Sequence, residues 1–493
     1  MNLTVVICVI LYEILVIIGV SYLLTYFMKK KNQELSGADF THSSGSMGML
    51  ATGATMALTS LGGGHILGMP GQSPVTGIGT YWYILSSGMM LIILCCYTGP
   101  WYMRLKVTTV TEFFEKLYDR KAAIVIAGLT AGCTWGVITL EMQGVGTVLW
   151  AMTGWTLQAC CLIGGVIAVL YVCFAGMKEV AWVNVINAIF MYVGVIIAAI
   201  VIGSKMQGGW EAVNQYYISQ DQSWMLSLFA NGNTWKTYII GTILGQLFFV
   251  PVNQAGCQCS ISAQNIKKLK RSAFVAVPLN CMFGVFMIAF GMAAPVYGYD
   301  PSPIGTFGML MDMLPTWVII WLLAGFAAAI LSTIAVCVLG ISTVLVDGLI
   351  KRYYKPEMTD KQQMTYLRIA IVVFGLGACV VSTLLPSVNT SMVWLFSWLL
   401  PAFWMFVFGM HWKRSASACF ITTIICAIVN CIWSFFPQIS EALGLEGSNN
   451  SIVMLVFVMV VGIITTAMDK NAKPAMISVY RNNRAEAIAP VKD

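Results

Sequence analysis

Ser60-Leu61-Gly62-Gly63-Gly64-His65-Ile66-Leu67-Gly68-Met69-Pro70-Gly71 lies inside an apolar run covering 48–72. Five glycines and a proline in twelve residues cannot hold a regular helix, since each glycine costs about 1 kcal/mol relative to alanine. A second such stretch, Gly245-Gln246-Leu247-Phe248-Phe249-Val250-Pro251-Val252-Asn253-Gln254-Ala255-Gly256, lies inside the run 237–258. Its proline removes a ladder hydrogen bond, and amide side chains cluster around it. Non-helical backbone is tolerated at membrane depth only where protein or a watery cavity surrounds it. These two breaks decide the fold, provided that both runs lie in a membrane.

Composition places them there. The chain has 493 residues, 58% hydrophobic and 10% charged, whereas soluble domains are about 45–50% apolar and roughly 25% charged. A large soluble catalytic or nucleic-acid-binding domain is excluded. Apolar runs bounded by charge or Gly/Pro/Asn clusters give thirteen expected spans: 4–27, 48–72, 78–103, 122–151, 155–175, 180–203, 237–258, 271–297, 316–350, 367–387, 391–411, 414–436 and 451–468. The first is too long for a signal-peptide core and is followed, not preceded, by Lys29, Lys30 and Lys31. If the N-terminus faces outside, every basic residue except Lys205 and Lys236 falls on the inner side. That sorting supports both the odd count and an inner C-terminus. The basic excess therefore reports topology. No nucleic-acid partner is expected, because the charges are scattered over short loops.

Spans 2 and 7 lie five apart, so they cross in opposite directions. Spans 2–6 and 7–11 read as two inverted five-helix halves, each opening with an interrupted helix. Paired interruptions of this kind point to a transporter's central binding site; glycines that merely permit close helix packing are the alternative. The expected organisation is a peripheral N-terminal helix (1–30), a first repeat (46–204) and an extracellular loop (205–236). A second repeat (237–412), two peripheral helices (413–468) and a polar cytoplasmic tail (469–493), expected to be mobile, complete it. Trp210, Trp224 and Trp235 suit the loop to an interfacial belt or lid. Most of the fifteen cysteines lie in apolar runs and read as buried small hydrophobes. Cys257 and Cys259 lack the further ligands of a zinc site.

Several local patterns carry a resemblance: Ala38-Asp39-Phe40, the stretch Val107–Lys116, Gly176-Met177-Lys178-Glu179-Val180-Ala181-Trp182, Asn253-Gln254 and His411-Trp412-Lys413-Arg414. The most specific is Ala327-Ala328-Ala329-Ile330-Leu331-Ser332-Thr333. From about Gly37 to Arg414 the chain resembles the sodium:solute symporter family. That resemblance implies an all-α integral membrane protein of the leucine-transporter type, about thirteen helices in a 5+5 inverted repeat. It implies alternating access, with the small-molecule solute and sodium as partners within the bilayer of the cell membrane.

The resemblance also implies a sodium site between spans 2 and 9. Its ligands would be the Leu58, Leu61 and Ala329 carbonyls and the Ser332 and Thr333 hydroxyls. A hard cation takes such oxygens, and a neutral cage lets it leave. For a Ser-Thr pair on a helix, back-bonding to the preceding turn is the alternative. A second sodium site used by some members needs an Asp where this chain has Asn184, and hydroxyls where it has Ala335 and Val336. One sodium per solute is therefore expected. Solute contacts carried over from sugar-binding relatives fall on Ser60, His65, Ser87 and Gln246, with Phe249 as an inner gate.

Glu141 is the remaining candidate, in the solute site. It sits mid-span in Thr139-Leu140-Glu141-Met142-Gln143, at a depth where an ionisable side chain costs about 3 kcal/mol on insertion scales. No Arg or Lys lies at the centre of any span. An amine-bearing, quaternary-ammonium or amino-acid solute is the favoured reading, with Trp135 or Trp82 able to add cation–π attraction. A carboxyl bonded to a neighbouring helix is the other reading of Glu141. A sugar or monocarboxylate is the alternative solute, and a channel or transporter-like sensor the less favoured class. An enzyme is not expected, because His65, Glu141 and Glu13 are scattered over three helices.

Overall fold

The computed structural model describes residues 3–30, 37–174, 177–384, 388–443 and 449–489. Lys31, Gly176, the end of the expected run 367–387 and Lys492 lie outside them. The molecule is almost entirely helical. Ten described helices are individually long and apolar enough to cross a membrane. Described helices also fall on the remaining expected spans: Leu3–Lys30, the interrupted 49–76 and Leu157–Phe174.

Helix ends follow local capping chemistry. Asp119 accepts from the Ala122 N–H and starts Arg120–Thr153. Asn265 accepts from the Lys268 N–H and starts Ile266–Val296 earlier than the apolar run did, drawing Lys267, Lys268 and Lys270 into the helix. Gly154, at φ +69°, ends span 4. Span 9, Thr316–Leu345, is enclosed by other helices and continues into a wider turn, Val346–Tyr354.

The two interrupted helices run past each other in opposite directions. Met47, at the entrance to span 2, pairs with the exit of span 7: its N–H donates to the Ser262 carbonyl at 2.9 Å, and the Gln264 N–H donates to the Met47 carbonyl at 3.0 Å. Gln258 Nε2 adds bonds to the Thr41 carbonyl and the Thr343 hydroxyl of span 9. At the opposite end, the loop over 206–231 folds back onto the junction of spans 2 and 3. Trp82 Nε1 donates to the Leu228 carbonyl at 2.9 Å, and Trp235 packs edge-on to Trp82 at 5.3 Å. Gly77, at φ +60°, permits the closure; a Cβ there would overlap the Met225 backbone.

The tail departs from expectation, because its described part is docked. Lys473–Pro474 pairs antiparallel with Lys413–Arg414, and the short helices Met476–Asn482 and Arg484–Ile488 follow. Met476 and Ala487 are buried, and Tyr480 packs edge-on against Trp101 at 5.4 Å. Lys116 Nζ donates to the Ile488 carbonyl at 3.0 Å. Asp469 accepts from Ser415 and Ser417. The apolar contacts are single residues spaced among polar ones, so the segment reads as solvated until its partners are known.

Candidate functional site

Span 2 is helical over Met49–Ser60 and loses helical geometry at Leu61 (φ −92°, ψ 47°). It resumes as a wide turn over Gly64–Gly68 and an α-helix over Met69–Thr76. No side chain of the break itself caps the second half. Instead Glu141, from span 4, reaches in: its Oε2 accepts the Gly63 N–H at 2.6 Å. The carboxyl fills the space beside Gly62 so fully that a Cβ there would overlap it. This explains why glycine stands at Gly62. It also ties Glu141 to the positive end of a half-helix.

Span 7 is helical over Ile240–Phe249, makes a tight turn at Val250–Val252, and restarts over Gln254–Ile261. Here the break caps itself. The Asn253 side chain accepts the Gly256 N–H at 2.8 Å, and Tyr102 donates to the Pro251 carbonyl at 2.7 Å.

A cavity lies between the two breaks, about 60 Å³ measured to the centre of a water-sized sphere. Ser60, His65, Glu141, Gln246 and Phe249 all line it, so five of the six expected solute residues meet there. Ser87 does not line it; it is buried one turn beyond Tyr83, which does. Ser60 spends its hydroxyl on the Met56 carbonyl. His65 Nε2 and Gln246 Oε1 are buried without a partner among the described residues, which costs free energy unless a ligand or water answers them. Phe249 packs on Phe396 at 4.7 Å, a pair of rings across one side. No Lys or Arg is among the lining residues.

Sequence reasoning did not assign Tyr83, Asn253, Met392, Phe396 or Cys337, which also line the cavity. Tyr83 could have been found, since it stands one turn from Ser87 on the same helix face. Met392 and Phe396 arrive from span 11 and carry no local signal.

The cation candidates surround the same break. Thr333 Oγ1 lies 3.0 Å from the Leu58 carbonyl and 3.3 Å from the Ala329 carbonyl. Ser332 Oγ is buried and without a partner among the described residues, and Leu61 is the first residue out of the helix. A buried, all-oxygen, uncharged group that includes an orphaned hydroxyl fits a small hard cation. Thr333 also lines the cavity, so the cation and solute candidates adjoin. Asn184 is fully buried on span 6 with neither amide atom partnered among the described residues. Ala335 and Val336, on span 9, carry no side-chain oxygen.

The sodium/glucose cotransporter of Vibrio parahaemolyticus is 23% identical over 459 residues, covering 86% of this chain and 84% of that protein. A sodium/sialic acid symporter of Aliivibrio fischeri is 22% identical over 483 residues, covering 90% of each. A solved structure of a Na+-coupled sialic acid symporter in a substrate-bound, outward-open state superposes with a TM-score of 0.76 at 18% identity, covering 93% of this chain and 98% of that one. Residues 40–426 match the model of the sodium:solute symporter family, and this multi-pass membrane protein belongs to it.

Proposed function

We propose that this sodium-coupled symporter imports a small amine-bearing or quaternary-ammonium solute, one sodium per solute, by alternating access. The observation that carries the reading is the cavity between the two breaks. It holds a carboxyl group, Glu141, and no cationic side chain. Ionised, that carboxyl would repel an anionic solute and attract a cationic nitrogen. Tyr83, Phe249 and Phe396 add aromatic faces to which an ammonium group is attracted.

Sodium would be held by the carbonyls of Leu58, Leu61 and Ala329 and by Ser332 and Thr333. Binding there orders the start of the break in span 2. Solute binds on the other side of that break, so each tightens the other as linkage requires. Asn184, Ala335 and Val336 in place of a carboxylate and two hydroxyls support a single coupled ion. Ser60, His65 and Gln246 would supply polar contacts to the solute, and Phe249 with Phe396 an inner gate; Ser87, expected to join them, stands outside the cavity. The distribution of Lys and Arg supports an outer N-terminus and a cytoplasmic C-terminus in the cell membrane.

The test is uptake into proteoliposomes under an imposed sodium gradient, using radiolabelled choline, phenethylamine, glucose and lactate. Accelerated exchange by internal solute identifies a carrier and sinks a channel. Uptake of glucose or lactate alone, unaffected by Glu141→Gln, would overturn the amine reading. More than one net charge beyond the solute's own per solute moved would overturn the single-sodium stoichiometry.

A further inference from the structure

The half-helix that begins at Gly63 starts beside the cavity with the positive end of its dipole; its His65 and Ile66 N–H groups donate to the Gly62 carbonyl. In this fold such an end faces the anionic part of a solute. Here it is already occupied. Glu141 Oε2 takes the Gly63 N–H at 2.6 Å, and the carboxyl stands against Gly62 with no room for a methyl group between them. Among the described residues no hydrogen bond reaches Oε1 of the same carboxyl, and Glu141 lines the cavity. Oε2 thus caps the helix, Oε1 lies against Gly62, and the residue lines the cavity. A second, independent feature marks that space as polar and demanding. His65 Nε2 and Gln246 Oε1, from spans 2 and 7, belong to side chains more than nine-tenths buried that line the cavity, and neither atom has a partner among the described residues.

We infer that Glu141 stands in for the solute's own carboxylate. It fills the anion-binding end of the half-helix and offers its charge to a cation, so the transported amine carries no carboxylate beside its nitrogen. This deepens the amine reading and rests on it. A zwitterion such as an amino acid would bring a second carboxylate to a place where one is built in. The two would compete for the Gly63 N–H and repel each other with no Lys or Arg among the lining residues to offset them. An amine or quaternary ammonium meets the carboxylate and the Tyr83, Phe249 and Phe396 rings without that conflict. Gly62 belongs to the device, because it alone lets the carboxyl approach.

The experiment compares matched probes on the purified full chain by sodium-dependent thermal shift: choline against glycine betaine, and phenethylamine against phenylalanine. In the wild type the carboxylate-free member of each pair should bind at least tenfold more tightly. Glu141→Ala should erase or reverse that preference, and added formate should restore it. Glu141→Gln keeps an oxygen to accept from Gly63, so it should weaken the amines without admitting the carboxylates. Wild-type preference for glycine betaine or phenylalanine would overturn the inference while leaving the amine reading intact. A sodium-dependent shift from glucose or lactate, with none from the four amine probes, would overturn both, as would no shift with any probe. Should Glu141→Ala fail to fold, the wild-type ranking and Glu141→Gln still decide.

Discussion

At the break in span 7 the chain closes on itself: Asn253 caps the helix that follows it, three residues on, and Gly256 packs under the Val250 carbonyl. At the break in span 2 the cap comes from another helix, 78 residues away in sequence. The first cap is local, with Tyr102 of span 3 adding a bond to the Pro251 carbonyl. The second persists only while spans 2 and 4 hold their relative positions. The break that adjoins both cation and solute candidates is thus the one whose geometry depends on tertiary contact, as a coupled site requires.

The largest expected effect separates the two breaks directly. Gly256→Ala sets a methyl group against the Val250 carbonyl of its own chain. Gly62→Ala sets one against the Glu141 carboxyl. Overpacking typically costs about 1–3 kcal/mol, and both variants should lose sodium-driven uptake by at least a hundredfold. Adding Glu141→Ala should restore most of the melting temperature lost by Gly62→Ala, though not transport. No substitution at Glu141 should help Gly256→Ala. Equal rescue of both, or of neither, would break the distinction between a local and a borrowed cap.

Ser332→Ala with Thr333→Ala comes next. It should leave the span-7 break unaffected and lower apparent sodium affinity at least tenfold, read as the sodium concentration for half-maximal uptake. Unchanged sodium dependence would remove the cation from this side of span 2. Asn253→Ala should cost about 1 kcal/mol of stability, the ordinary loss of an N-cap, with the wild-type sodium requirement retained. A changed sodium requirement would mean that the self-capped break is also coupled.

The smallest effect lies away from both breaks. The Ser415 hydroxyl, the Asn471 N–H and the Ser417 hydroxyl hold the Asp469 carboxyl below the usual carboxylate range. A depressed pKa contributes stability above the unfolded value and loses it as pH falls through the folded one. Tail docking should therefore weaken only in the acid range, below pH 4, seen as faster hydrogen exchange over 476–489. Asp469→Asn should loosen the tail at pH 7 and abolish that dependence.

The two breaks were legible in the sequence because glycine and proline act on their own turn. Glu141 was legible as a buried charge, but its partner was not, since nothing local to either residue names the other. The tail was misread as mobile for the same reason: Met476, Tyr480 and Ala487 make an apolar face only against Trp101 and its neighbours. Met392 and Phe396 entered the cavity unannounced, because a residue's face on a helix buried on several sides has no periodicity to betray it.

The docked tail has a mechanical consequence. Lys116, between spans 3 and 4, bonds its far end, and Lys413–Arg414, between spans 11 and 12, pairs with its start. The tail is a belt buckled between two connections that are remote in sequence. Any motion of one connection relative to the other must stretch that belt, slip it or carry it along.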